Sequence, residues 1–136
     1  IQHYVKQFLP LVQPDFLQIL LDQSGEVAAF GLLMPSLGMA CKKGGGKLFP
    51  TGWYHFLRGL NHFDVMDMYL VAVRPSLQNC GIDAILMAEM IKSAQKHGVR
   101  FAETGPELET NTKVQGLWKN FKAEQHKRRR CFIKSI

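Results

Sequence analysis

The stretch from Asp67 to Gly98 constrains the fold more than any other part of this 136-residue sequence. It opens with seven residues, DMYLVAV, that include two valines and a tyrosine and end at Arg74 and Pro75. Seven residues are few for a helix, and the residue before a proline avoids helical backbone. The run therefore predicts a strand over Asp67–Val73, followed by a short polar loop that contains Gly81.

An amphipathic run follows this loop. Its apolar residues recur at helical spacing, at Met87, Met90, Ile91 and Ala94. Gly98 is placed for the left-handed conformation that ends many helices. The stretch therefore predicts strand, tight loop and helix. The backbone N–H groups of residues 80–84 would lie at the helix N-terminus, where the macrodipole adds positive potential and a phosphate can bind.

Composition excludes several classes of protein. Apolar residues make up 46% of the chain and charged residues 21%, which is ordinary for a folded domain. No apolar run approaches the 18 residues of a membrane helix, so we expect no membrane partner.

Cys41, Cys80 and Cys131 form no CxxC pair, which favours a reducing cytoplasm over a disulfide framework. His55 and His62 have no further ligand at metal-binding spacing, so we expect no metal.

The net charge of +6 falls to +2 without the four basic residues at 127–130. This run is open to three interpretations: a nucleic-acid contact, a solvated face or edge-strand guard, or attraction of an anionic ligand. No aromatic stacking pattern accompanies it, so nucleic acid is not the favoured partner.

The first part of the chain predicts a helix over Ile1–Val12 and then a β-hairpin. The hairpin comprises a strand within Asp15–Asp22, a turn at 23–25 and the apolar run VAAFGLLM. Within that run, Gly31 marks either a bulge or a close backbone approach. The long connection Ser36–Asn61 predicts two helices around three glycines, and connections of this length are usually functional. The aromatic side of its second helix either lines an acceptor pocket or packs in the core; the residues are Trp53, Tyr54, Phe56 and Leu57.

The part after the central helix predicts a strand over Val99–Thr104, parallel to the first because a helix joins them. A polar loop, Gly105–Thr110, and a helix over Asn111–Lys122 follow, with Asn111 placed as a cap. The chain is predicted to close with a strand over Arg130–Ile136.

The residues VRPSLQNCGIDA resemble the acyl-CoA pyrophosphate loop of the GNAT N-acetyltransferase superfamily. That loop has Arg or Gln, two residues, Gly, one residue, and Gly or Ala, directly after a central strand. Gln78 and Gly81 match, whereas Asp83 departs from the last position. A carboxylate about 5 Å from a phosphate costs roughly 1–3 kcal/mol, unless Asp83 turns to solvent as an ordinary first-turn acid.

The order of predicted elements over residues 15–136 also resembles this superfamily. So does an Asn followed by a Leu and an aromatic residue, at Asn111, Leu117 and Trp118. The resemblance implies an α/β (α+β) fold of the GNAT-like acyl-CoA N-acyltransferase type, with a mixed central sheet flanked by helices. It implies a single domain over 1–136 that lacks the elements which come first in the family, since the chain begins at Ile1 rather than Met. The branch it resembles is bacterial and has no known acceptor.

The resemblance implies acetyl-CoA as co-substrate. In the family the backbone of the central strand pairs with the pantetheine arm, the next loop grips the pyrophosphate, and an Asn contributes a polar contact. The corresponding residues here are Val71 and Val73 on the strand, Gln78, Asn79, Cys80, Gly81, Ile82, Asp83 and Ala84 in the loop, and Asn111.

Asp67 is the candidate base, because some family members carry a Glu at this place. Unbroken alternation would put the Asp67 and Tyr69 side chains on one strand face with Val71 and Val73, so acid and phenol would point into one cleft. The alternative is a solvated Asp67 at the strand entry. A second acidic cluster, which could bind a cationic acceptor, comprises Glu103, Glu107 and Glu109. The usual Tyr acid is replaced by Trp118, whose indole has no acid chemistry, so the acid would be Tyr69, Tyr54 or water, or turnover is lost.

Two functions follow from the resemblance. One is transfer of an acetyl group from acetyl-CoA to an amine acceptor, either a small molecule or a protein. The other is a catalytically degenerate GNAT-shaped binding or regulatory module, which Asp83 and Trp118 favour. A homo-oligomer is left open.

Overall fold

The computed structural model describes residues 12–134. It divides into two compact units, Ile1–Glu103 and Thr104–Ile136, and each is described by itself. The helix predicted over Ile1–Val12 lies outside the described residues except for Val12, which is not helical.

The first unit is built on a four-stranded mixed sheet with the order β1-β2-β3-β4. Strand β1 pairs antiparallel with β2, and β2 pairs antiparallel with β3, so β4 is the parallel member. The strands are β1 (Leu17–Leu21), β2 (Val27–Pro35), β3 (Val65–Val73) and β4 (Phe101–Thr104). The helices are α1 (Gly38–Lys43) and α2 (Gly52–Asn61) between β2 and β3, and α3 (Ile82–Lys96) between β3 and β4. This arrangement confirms the mixed α/β prediction for residues 15–104.

The predicted hairpin forms between β1 and β2 because Asp22 organises its turn. The Asp22 carboxylate accepts the backbone N–H groups of Ser24 and Glu26, at 2.9 and 3.0 Å. Gly25 takes a positive φ of 82°, which costs glycine nothing and strains other residues.

The core lies between α3 and the sheet. Its fully buried large side chains come from the turn before β1, from β3 and from α3: Phe16, Met66, and Leu86 with Met90. Helix α3 comes so close to β2 that the Met90 sulfur occupies the place where a Cβ at Gly31 would sit. Neither a bulge nor a second backbone lies at Gly31, and the missing Cβ instead makes room for the Met90 side chain.

The second unit contains one short helix, α4 (Thr112–Leu117), followed by a 3-10 turn at Trp118–Asn120. The helix predicted over Asn111–Lys122 is therefore shorter than expected. The strand predicted over Arg130–Ile136 is wrong for its described part, because residues 121–134 contain no regular structure. A strand is stable only against a neighbour, and Phe132 and Ile133 stand almost fully exposed.

Candidate active site

The two halves of β3 have different surroundings. The N–H groups of Arg100 and Phe101 donate to the Asp64 carbonyl, at 2.9 and 3.1 Å, so β4 begins beside the start of β3. Strand β4 has four residues and β3 has nine, so β4 ends roughly beside Met68. Beyond that point β3 pairs with β2 alone within its unit, and its residues from Tyr69 to Ala72 are exposed.

A β-bulge separates these halves. Leu32 pairs with Leu70 and Leu33 pairs with Met68, so Tyr69 is an extra residue that no residue of β2 opposes. Bulges bend a strand, re-aim its side chains and are frequent next to active sites.

The bulge changes which side chains share a face. Paired residues lie on the same face, and Asp67 pairs with Met34 while Val71 pairs with Gly31, three residues away along β2. The Gly31 face is the one against which α3 packs. The predicted common face for Asp67, Tyr69, Val71 and Val73 is therefore wrong. The alternation rule fails because one inserted residue reverses it.

Arg74 fixes the exit of β3. Its guanidinium donates to the Asp22 carboxylate at 2.7 Å and to the Val27 carbonyl at 2.6 Å, and its backbone N–H donates to the Ala28 carbonyl. The Ser24 hydroxyl and the Arg74 guanidinium hold the pKa of Asp22 down, from 3.8 to about 2. The loop after β3 therefore starts from a fixed point on the β1–β2 hairpin, which the sequence analysis missed because the contact is 52 residues distant.

The loop adopts a conformation that turns the chain sharply into α3. A 3-10 turn spans Pro75–Leu77, Asn79 takes a φ of +63°, and Gly81 takes a φ of +78° as the N-cap of α3. Positive φ is a strained region for most residues, tolerated best by glycine and then by asparagine. The predicted strand, tight loop and helix are thus confirmed with Gly81 at the position where only glycine is unstrained.

The loop leaves a set of backbone donors free. None of the N–H groups of residues 79–84 donates a hydrogen bond of good geometry to the described part of the chain, and no side chain caps α3. Gln78 turns back to the Val73 carbonyl at 3.4 Å, and the Cys80 thiol contacts the Gln78 carbonyl at 3.6 Å. Free N–H groups together with the helix dipole can bind an anion.

Asp83 does not fill this position. Its carboxylate accepts no hydrogen bond from the loop amides, and no ion pair to it occurs in the described residues. Its side chain is half-buried in the first turn of α3. The departure from the family pattern therefore adds negative charge near the amides without blocking them.

Tyr69, one of the two predicted catalytic residues, is the inserted residue of the bulge, and Asp67 lies two residues before it. The Asp67 side chain is half-buried and makes no hydrogen bond or ion pair within residues 12–134, and Tyr69 is 60% exposed. Both are free to act on a ligand, although the structure does not place them on one face.

Residues of the second unit are partly engaged within it. The Trp118 indole N–H donates to one oxygen of the Glu107 carboxylate at 2.8 Å, and the binding of a cationic acceptor by the predicted acidic cluster stays a prediction. The Asn111 side-chain oxygen caps α4 by accepting the Val114 N–H at 3.4 Å, as predicted from its position. Its contact with a cofactor stays a prediction.

The connection between β2 and β3 forms a helical hairpin of α1 and α2, as predicted. Gly59 of α2 lies against Leu37 and Ala40, and a Cβ there would come within 3.3 Å of each. Phe56 is half-buried, whereas the other three aromatic or apolar residues named for this helix are exposed: Trp53, Tyr54 and Leu57. Neither the pocket nor the core interpretation covers all four.

Two negative findings apply to residues 12–134. No three His, Cys, Asp or Glu side chains come together there in an arrangement that could hold a metal ion. No helix in this range has the length and apolar character needed to span a membrane.

No protein-family model and no curated protein sequence matches the chain. Several solved structures, however, are similar to the chain. The aminoglycoside N-acetyltransferase AAC(6')-Iy, in complex with a CoA bisubstrate analogue, superposes with a TM-score of 0.60 at 16% identity, over 99% of this chain and 80% of that one. The aminoglycoside 6'-N-acetyltransferase AAC(6')-IG from Acinetobacter haemolyticus superposes with a TM-score of 0.56 at 14% identity, over 99% of this chain and 81% of that one.

A protein assigned as a phosphinothricin N-acetyltransferase gives a TM-score of 0.61 at 14% identity. The match covers 88% of this chain but 63% of that structure, so the chain spans less than two thirds of that relative. Identities this low establish the fold alone. The bulged central strand, the glycine-capped loop and these superpositions together show that the chain has the GNAT acetyltransferase fold.

Proposed function

We propose that the chain is an N-acetyltransferase that transfers an acetyl group from acetyl-CoA to an amine acceptor. One observation carries this proposal: the exposed half of β3, paired on one side within its unit, leads into six backbone N–H groups at the start of α3 that lack a partner in residues 12–134. Coenzyme A combines a diphosphate with a long arm that contains amide groups. It therefore needs an anion site that adjoins a strand with free backbone groups. Solved structures of this fold include complexes with CoA, which supports the proposal.

The loop residues would hold the diphosphate. The N–H groups of residues 79–84 supply the donors. The positive φ of Gly81 lets the backbone turn from the direction of β3 into α3. Arg74 keeps the start of the loop in place through Asp22 and Val27. The backbone of Val71 and Val73 is proposed to pair with the arm, since β4 has ended before these residues.

Acetyl transfer forms a C–N bond to the acceptor amine and breaks the C–S bond of the thioester. The amine must lose a proton, and the leaving thiolate must gain one. We assign the first task to the unpartnered carboxylate of Asp67 and the second to the exposed phenol of Tyr69. Trp118 cannot replace Tyr69, because its N–H is bound to Glu107 and has no acid chemistry.

Acetylation of an amine panel tests the proposal. Product should be followed by mass spectrometry, because three exposed free cysteines would react with thiol dyes. Their unpaired state also fits the reducing, cytoplasmic location that we propose. We expect Asp67→Asn to lower kcat by about 10²–10⁴-fold, the usual loss of a general base, with the Kd for acetyl-CoA unchanged. An unchanged kcat would remove Asp67 from the mechanism.

The alternative function is a GNAT-shaped module that binds acetyl-CoA without turnover. Two observations favour it: the extra negative charge of Asp83 at the loop, and the commitment of Trp118 to Glu107. Heat of binding by calorimetry together with no product from any amine would select this alternative. Product that disappears in Asp67→Asn would exclude it.

A further inference from the structure

We infer that the amine acceptor carries a negatively charged group, which binds in a groove between α2 and the start of β3. This inference rests on the proposed acetyl transfer and specifies its acceptor class. The groove consists of two adjoining hollows of about 390 and 330 Å³ that share Asn61 and His62. The remaining lining residues are Gln13, Tyr54, Leu57, Arg58, Leu60, Phe63 and His97.

The connection between β2 and β3 carries charge of one sign. The 27 residues from 36 to 62 contain four basic residues, Lys42, Lys43, Lys47 and Arg58, and no Asp or Glu. No described residue with a carboxylate lines the groove, and Asp15 contacts the lining residue His97. Clefts lined by charge of one sign attract ligands of the opposite sign.

Two acids adjoin lining residues, Asp15 beside His97 and Asp64 after Phe63, and both have partners. Asp15 accepts from His97 at 2.9 Å, and Asp64 accepts from Arg100 at 2.6 Å, a contact that lowers the Asp64 pKa. The Arg58 guanidinium, in contrast, makes no hydrogen bond or ion pair within residues 12–134. Arg58 therefore offers its donors to a ligand, since no carboxylate of the described chain neutralises it.

One wall of the smaller hollow suits an apolar body beside the charge. Tyr54 and Leu57 lie on the exposed side of α2 next to Arg58. A guanidinium next to apolar side chains matches a molecule in which a carboxylate or phosphate adjoins a small apolar group.

The position of the groove fits an acceptor. The hairpin is fixed to the start of β3 by the Ser36 N–H, which donates to the Val65 carbonyl at 2.9 Å. The anion-binding loop lies at the other end of β3. The thioester is the end of the coenzyme A arm remote from the diphosphate, so it points toward Asp67 and the start of the strand. An acceptor approaches from that side.

This charge distribution differs from what a polycationic acceptor requires. Two of the superposed enzymes are aminoglycoside acetyltransferases, and aminoglycosides carry several ammonium groups. A basic groove would repel such a molecule. The shared fold therefore does not extend to a shared acceptor.

Acceptors in matched pairs test the inference. L-phenylalanine and phenethylamine differ only by a carboxylate, and phosphoethanolamine and ethanolamine differ only by a phosphate. We expect the anionic member of at least one pair to have a kcat/KM more than tenfold higher. Arg58→Gln should reduce this preference at least fivefold without changing the Kd for acetyl-CoA. Lys43→Gln, which removes a charge from the same hairpin outside the groove, should leave the preference unchanged.

Binding measured without acetyl-CoA separates this inference from the proposed function. NMR titration of the full chain should show shifts of the His62 imidazole with the anionic member of the preferred pair, reduced in Arg58→Gln. Such shifts without any acetylation would overturn the proposed function and keep the anion site. Equal kcat/KM values in both pairs, a preference for the cationic members, or absence of His62 shifts with both anions would overturn the inference.

Discussion

The first and second halves of β3 belong to one strand but have different roles. Residues 65–68 lie between β2 and β4, and Met66 among them is fully buried. Residues 69–73 begin with the bulged residue Tyr69, adjoin β2 alone within the unit and are largely exposed. The difference teaches that the fold is held by the first half, while the second half is left available for a ligand.

The two ends of this strand are fixed in a similar way. Asp64 pairs with Arg100 at the entry and Asp22 pairs with Arg74 at the exit, and each arginine lowers the pKa of its carboxyl partner. The exposed half is therefore held at the exit by contacts outside its own ladder. The backbone groups of this half can therefore remain without partners while the strand keeps its position.

The largest expected effect tests the structural role of the first half. Met66→Ala leaves a cavity in the core and should lower the free energy of unfolding by about 2–5 kcal/mol. Leu70→Ala in the exposed half should change it by less than about 0.5 kcal/mol. Urea unfolding measures both. Equal losses would show that the two halves contribute alike and would break the comparison.

The next effect separates ligand binding from backbone strain. Gly81→Ala and Gly98→Ala each place a side chain at a positive φ at opposite ends of α3, with no neighbour near the new Cβ. Both should lose roughly 1–2 kcal/mol of stability. Only Gly81→Ala should also weaken acetyl-CoA binding, by about tenfold or more in calorimetry, because it disturbs the free amides. Equal affinity in the two variants would contradict the loop assignment.

A smaller effect concerns the charge at the loop. Asp83→Asn should tighten acetyl-CoA binding by about fivefold at low salt, since it removes repulsion of roughly 1 kcal/mol. The gain should shrink as salt rises. Glu89→Gln is the matched control, because Glu89 lies further along α3 and pairs with Lys92 at 2.6 Å. A tighter Glu89→Gln variant would mean that net charge, not position, governs the affinity.

The smallest effect tests the clamp at the exit of β3. The pKa of Asp22 is lowered to about 2, so its stabilising contribution is present above about pH 4 and is lost as the pH falls toward 2. Asp22→Asn should be less stable than the wild type at pH 5, and the difference should disappear near pH 2. Urea midpoints at both pH values measure this. A pH-independent difference would show that the ion pair does not hold the exit.

The sequence predicted elements whose signals are local. The run ended by Arg74 and Pro75, together with Gly81 and Gly98, specified strand, loop and helix, because each residue restricts its own backbone. The hairpin turn around Gly25 was predictable for the same reason.

Features that depend on pairing could not be predicted. The bulge at Tyr69 is defined by which residues of β2 lie opposite, and nothing within DMYLVAV indicates an inserted residue. The Arg74–Asp22 contact joins residues far apart in the chain. The strand expected at Arg130–Ile136 had suitable residues but no described neighbour. The hydrophobic periodicity of a segment can be read from its own residues, whereas its strand pairing also depends on a second segment that the pattern does not identify.

NMR titration of the ¹⁵N-labelled chain with acetyl-CoA is the most direct test of the central claim. We predict that the amide signals of residues 79–84 and 69–73 shift together and saturate at one Kd, while those of residues 65 and 66 and of the α1–α2 hairpin stay in place. Loop signals that do not move at millimolar acetyl-CoA would contradict the account, as would shifts centred on the first half of β3.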